Sequence, residues 1–129
     1  MSNNRVYQVN LTEEHLGHLE LAAATLGLRK TDRKIYVTDD GSRPCLLELK
    51  ATDCKHTIGL VAGRSGTFNF AADFYGVGIK LQERVGPEFG KLVQKVNEGV
   101  IRNRLYDNGA RDITTETLKD GRVRLLADY

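Results

Sequence analysis

A chain of 129 residues with 40% hydrophobic and 28% charged side chains can bury one real core, which excludes a disordered tail and any fibrous or low-complexity class. The net charge of +2 is spread, with nine basic and nine acidic residues in 1–79 and ten and eight in 80–129, so the concentrated basic surface of a nucleic-acid binder is missing. MSNNRVYQVNL lacks the apolar stretch of a secretory signal and no segment approaches the ~18 apolar residues of a membrane span, so a cytoplasmic single domain (1–129) with free thiols at Cys45 and Cys54 is expected.

Residues 5–11 (RVYQVNL) alternate as a strand does. A helix should follow, started by Asn10 or Thr12, carrying Leu16, Leu19, Ala23 and Leu26 at helical spacing and ending at the left-handed cap Gly27. The basic run Arg29–Lys34 then reads as a solvated loop at a helix end that prefers cations. Ile35–Val37 is a short β-prone run, Asp40-Gly41 with Ser42 and Pro44 is turn chemistry, and Cys45–Leu49 resumes a strand.

The glycines of GLVAGRSGTFNF (59–70) do not make a phosphate cradle. A P-loop counted from Gly59 meets Arg64 where its second glycine belongs, and a dinucleotide fingerprint through Gly63 needs a glycine where Val61 stands. A hairpin fits better, and its register follows from parity. Ile58, Leu60 and Ala62 share one face, as do Phe68, Phe70, Ala72 and Phe74, and pairing the two sets requires an odd loop. The loop Arg64-Ser65-Gly66 sets Ala62 opposite Phe68 and Leu60 opposite Phe70, with Gly66 at the left-handed position.

The spacing predicts a second helix from Pro87, behind Gly86, with Glu88 in its first turn. Its apolar stripe is Phe89, Val93, Val96 and Val100, widened by Leu92, Ile101 and Leu105, opposite Lys91, Lys95, Glu98 and Arg102. Gly90 and Gly99 suggest a close approach to a strand, and Asn108-Gly109 stops the helix. TTETLKDGRVRLLADY is a last hairpin around Asp120-Gly121. A two-residue turn aligns Leu118 with Val123, and a three-residue loop at 119–121 aligns Glu116 with Arg124; both stay open. The pattern is α+β, an antiparallel sheet with two helices packed on one face.

Candidate chemistry is sparse. His15 and His18 are three apart, and Cys54 and His56 form a second short pair, but neither spacing is that of a structural zinc site, so no metal or cofactor is expected. In an extended chain His56 lies ~7 Å along from Cys54, too far to serve as its base, so no catalytic residue is assigned. Asp73 and Tyr75 close a strand, which reads first as a capped strand end and alternatively as a handle for a small ligand or a peptide.

The segment HTIGLVAGRSGTFNFAADFYG resembles the small plastid and cyanobacterial hypothetical proteins of the ycf thirty-five family, a domain of unknown function. The matching residues are Ile58, Gly59 and Leu60, then Gly66, then Ala72 and Asp73; Gly109, Asp120-Gly121 and Arg124-Leu125 extend the likeness over 56–128. The resemblance implies an α+β fold and no established activity. Members look like accessory proteins, often encoded beside AAA-type ATPases, which implies a partner of that class.

The functional expectation is therefore a non-catalytic accessory or adaptor protein with a protein partner, whose sheet edges offer self-association. Its surface would include Asp73, Tyr75, Glu116, Arg122 and Arg124. The alternative is a small-ligand or nucleotide-binding protein that holds phosphate with Arg102, Arg104 or Arg111.

Overall fold

Two strands at the centre of the sheet set the frame: β6 (Ile58–Ala62) and β7 (Phe68–Asp73) pair antiparallel with Leu60 opposite Phe70 and Ala62 opposite Phe68, the register that parity requires. The turn that produces it differs in detail from a plain three-residue loop. Ser65 (φ 55°) and Gly66 (φ 76°) are both left-handed, and Thr67 N–H donates to the Arg64 carbonyl at 3.0 Å, as in a two-residue type I′ turn. Gly63 N–H also donates to the Thr67 carbonyl, at 2.8 Å, so Gly63 and Arg64 together oppose Thr67. That bulge supplies the odd residue.

The computed structural model describes residues 4–129. Around the central pair, β1 (Asn4–Leu11), β5 (Leu47–Ala51) and β2 (Leu28–Lys30) complete a five-stranded antiparallel sheet in the order β1-β7-β6-β5-β2. Its core face carries Tyr7, Leu49, Ile58, Leu60, Phe70, Ala72 and Phe74, all buried in one apolar cluster with the helices. Phe89 is the hub. Its ring stacks on Phe70 at 4.7 Å and meets Tyr7 and Phe74 at 5.1 and 5.4 Å.

The fold is α+β as expected, with more helical segments than two. The first helix is broken into α1 (Glu13–Leu16) and α2 (Leu19–Thr25) at Gly17 and His18, where His18 stays in the right-handed region but is drawn out to φ −112°, ψ −1°. A helix that the sequence reading passed over, α3 (Ile79–Val85), buries Leu81 and Val85. Pro87 opens only a single 3-10 turn; Glu88 and Phe89 then adopt φ 52° and 66°, and α4 (Gly90–Asp107) starts after them. Two left-handed non-glycine residues are strained, and burying the Phe89 ring completely compensates. Gly99 does serve a close approach, but to a helix start rather than a strand: a Cβ there would lie 2.8–3.0 Å from the His18 side chain.

The face of the sheet away from the helices is covered too. A hairpin of β3 (Ile35–Thr38) and β4 (Gly41–Pro44) folds over it, and Tyr36, 4% exposed, lies on Gly59. A Cβ at position 59 would sit 2.5 Å from the Tyr36 ring and 2.9 Å from Cys45 Cβ. Directly opposite Gly59 in the register is Glu48, fully buried. Its carboxylate accepts from Thr31 Oγ1 and Thr57 Oγ1 at 2.5 Å each, from Arg33 Nε at 2.9 Å and from Arg33 Nη2 at 2.7 Å. Burial pushes this carboxyl up, and the Arg33 and hydroxyl hydrogen bonds together outweigh that, holding it below its ordinary value of 4.5. The basic run is thus not simply a solvated loop: residues 28–30 form β2, and Arg33 is committed to Glu48.

Gly59→Ala forces Tyr36 or Cys45 to move and should cost about 1–3 kcal/mol, the range of an overpacked core, read as a lowered urea midpoint with unchanged slope. Because the folded Glu48 carboxyl lies below its unfolded value, its contribution is complete above about pH 4.5 and is lost as pH falls through the lower, folded value. Glu48→Gln should therefore lower stability at pH 7 by about 1.5–3 kcal/mol, the worth of hydrogen bonds to a charged group. Below pH 4.5 its stability curve should be flatter than that of the native chain.

Candidate functional site

Helix α4 has more apolar arc than one sheet face can cover. Leu92, Val96 and Val100 are buried against the core, whereas Val93 is partly covered and Ile101 is 46% exposed. On that second flank rests a hairpin separate from the main sheet, β8 (Asp112–Thr117) with β9 (Val123–Asp128). Glu116 pairs with Arg124 and Thr117 with Val123, so the three-residue loop is the one adopted; Leu118 N–H donates to the Arg122 carbonyl at 2.7 Å across it, and Gly121 is left-handed at φ 87°. The hairpin is held to α4 by Gln94 Nε2 donating to the Gly121 carbonyl (3.1 Å) and Arg102 Nη2 to Thr115 Oγ1 (2.9 Å).

Between helix and hairpin runs an open groove of about 790 Å³, with Pro87, Val93, Ile101, Val123 and Leu125 as its apolar lining and Arg122 at its rim. Glu98 stands on the wall this groove shares with a smaller hollow of about 320 Å³ between α2 and α4. Its Oε1 is buried and, among the described residues, has no hydrogen-bond partner, while Oε2 lies 3.8 Å from Lys95 Nζ.

The anticipated surface residues separate into groups. Glu116 and Arg124 form an ion pair at 2.6 Å on the outer side of the hairpin, and Arg122 pairs with Asp120 at 2.6 Å beside the groove. Tyr75 is 52% exposed in the turn from β7 to α3, where Val77 and Ile79 are half exposed beside it. Asp73 is not on a surface at all. Fully buried, it accepts Asp39 N–H at 2.8 Å and Tyr75 N–H at 3.0 Å, so it fastens the β3–β4 turn to the end of β7 and offers no atom to a partner. Beside it, His56 Nδ1 lies 2.8 Å from the Asp73 carbonyl oxygen.

The three arginines proposed for phosphate do not converge. Arg102 reaches β8, Arg104 turns to α1 and pairs with Glu14, and Arg111 is exposed where its N–H closes the open end of the hairpin on the Asp128 carbonyl at 2.7 Å. Residues 102 and 104 are two apart on a helix and so point about 200° apart. The Arg104 hydrogen bond holds the Glu14 carboxyl below the usual range.

The other candidates are occupied internally. Cys54 is buried and its Sγ donates to the Val77 carbonyl at 3.2 Å; burial pushes the thiol up, away from a reactive thiolate. His15 Nδ1 meets Thr12 and its Nε2 lies 3.1 Å from Asn97 Oδ1. Among the described residues no group of three or more His, Cys, Asp or Glu is placed to hold a metal, and no helix is long and apolar enough to cross a membrane.

The groove itself escaped the sequence reading, which set Ile101 against the sheet. The signal was there in the width of the α4 stripe, from Leu92 and Val93 round to Ile101. Burial pushes both thiols up, so the contrast between them is one of access: at about pH 9 iodoacetamide should label the partly exposed Cys45 well before Cys54 in the folded protein, which peptide mass spectrometry reads directly. Compared with protein-family models, with curated proteins and with solved structures, the chain finds no match in any of the three.

Proposed function

We propose that this chain is a non-catalytic adaptor that takes an apolar segment of a partner protein into the groove between α4 and the β8–β9 hairpin. The observation that carries the reading is the groove: Val93, Ile101, Val123 and Leu125 line an open trough whose rim is polar, the arrangement of a docking site with an apolar centre. Polar side chains along the trough, Gln94, Asn97 and Arg122, offer the incoming segment hydrogen-bonding groups beside the apolar floor. The groups that could do chemistry, Glu48, Asp73, His56 and Cys54, are engaged in holding the fold. The resemblance to the ycf thirty-five family nominates an AAA-type ATPase as the first partner to try.

Ile101→Glu tests the groove without touching the core, because Ile101 is half exposed. Partner affinity should fall at least tenfold, about 1.4 kcal/mol, with the melting temperature nearly unchanged; full retention of affinity would remove the groove from the interface. Differential scanning fluorimetry against nucleotides should be flat. A phosphate ligand at 100 times its dissociation constant would add about 2.7 kcal/mol, and such a shift would replace the adaptor with a ligand binder.

A further inference from the structure

The β8–β9 hairpin is a two-stranded ribbon, a form that is marginal in water without further strands or packing. One of its edges is complementary to itself. The hydrogen bonds at the two ends of the hairpin fix which groups face outwards: the Arg122 carbonyl accepts from Leu118 and the Asp128 carbonyl from Arg111, both towards β8. Alternation along an antiparallel pair then turns the backbone groups of Arg124, Leu126 and Asp128 towards β8, and those of Val123, Leu125 and Ala127 towards the free edge. Among the described residues nothing pairs with that edge.

We propose that β9 pairs antiparallel with β9 of a second copy of this chain about a two-fold axis through Leu126, joining two hairpins into one four-stranded sheet. The phase admits only registers that set odd residues against odd ones, and charge chooses among them. Centred on Leu126, the axis puts Leu125 opposite Ala127 of the copy as hydrogen-bonded pairs. Leu126 meets its own counterpart, and Arg124 meets Asp128 of the copy on both sides, as the close, non-hydrogen-bonded pairs. Leu126 is 47% exposed and Arg124 and Asp128 lie on the same exposed face. Centring on Leu125 or Ala127 instead sets Arg124 or Asp128 against Leu126 of the copy, and centring on Arg124 sets two arginines together.

Within one chain Asp112 stands directly opposite Asp128, a like-charge pair, and the arriving Arg124 relieves it. The other edge does not share this property, because β8 paired with itself about Thr114 opposes Asp112 to Glu116. The surface is isologous, as closed dimers require, and it uses the edge and outer face of the hairpin rather than the groove, so it stands or falls independently of the adaptor reading.

Sedimentation of the full chain from about 5 to about 500 µM, the span suited to a short, weak interface, should show a monomer–dimer equilibrium. Asp128→Arg removes the like-charge pair within the hairpin and places two arginines opposite each other between copies, so the hairpin survives and dimer affinity should fall at least tenfold. Leu126→Cys should form a disulfide-linked dimer on mild oxidation, since Cα atoms of a non-hydrogen-bonded pair are ~4.5 Å apart, within disulfide reach. Thr114→Cys, on the same face but on β8, should not. A native chain monomeric throughout, a dimer unaffected by Asp128→Arg, or equal cross-linking from positions 114 and 126 would each overturn the proposal.

Discussion

Strand β7 is buried on both faces, and much of the remaining architecture meets the demands this creates. Phe70, Ala72 and Phe74 face the helices, while Asn69, Ala71 and Asp73 face the other way and are no more exposed. A buried amide or carboxylate without partners would cost several kcal/mol, so the neighbouring chain is shaped to supply donors. Asn69 Oδ1 accepts the N–H groups of Val9 and Asn10, which β1 can offer only by bulging between Tyr7 and Leu11 with Asn10 left-handed at φ 52°. Asp73 takes Asp39 N–H from the β3–β4 turn. The same requirement extends to β5, where Glu48 draws Thr31, Arg33 and Thr57 around it and so ties the loop after β2 to the back of the sheet.

What was legible in the sequence was what parity and turn chemistry determine. The β6–β7 register could be read because a slip of one residue throws every Phe to the wrong face, and that constraint survives a turn of different type from the one expected. The C-terminal hairpin was open between two registers because Thr114 to Thr117 is polar on both faces, so burial did not arbitrate; the loop at Lys119–Gly121 did. Helix α3 escaped because Gly76, Gly78 and Gly86 bracket it, and only Val77, Leu81 and Val85 at four-residue spacing signalled it. The second layer was illegible for a different reason. Tyr36 over Gly59 and Arg33 on Glu48 are long-range pairings, and no local pattern announces that a strand will be covered twice.

The site was legible in its residue types and not in its grouping. Arg122, Arg124 and Glu116 do lie together on one hairpin, because a hairpin's cross-strand neighbours follow from its register. Arg102 joins them only through tertiary packing, and Arg104 leaves them for the same reason: α4 is flanked on one side by the hairpin and on the other by α1. Asp73 illustrates the limit from the opposite direction. An acid at a strand end reads as a ligand handle when the far side of the sheet is taken to be open, and as a fastener once that side is covered.

The contrast between the two halves of the molecule bears on what the hairpin is for. The core groups are closed by buried hydrogen bonds, whereas the hairpin is attached by exposed hydrogen bonds, each worth about 0.5–1.5 kcal/mol, by the buried Ile113 and by the partial burial of Val123 and Leu125. An element held so lightly opens at low free energy relative to the sheet. It carries a groove on its inner face and, among the described residues, a strand edge without a partner at its side, so ligands ordering the hairpin from either side would share one entropic cost. Were both surfaces engaged, they would be coupled through one element, and by linkage such a coupling is reciprocal: an occupant of the groove that tightened strand pairing would itself be tightened by strand pairing to the same factor.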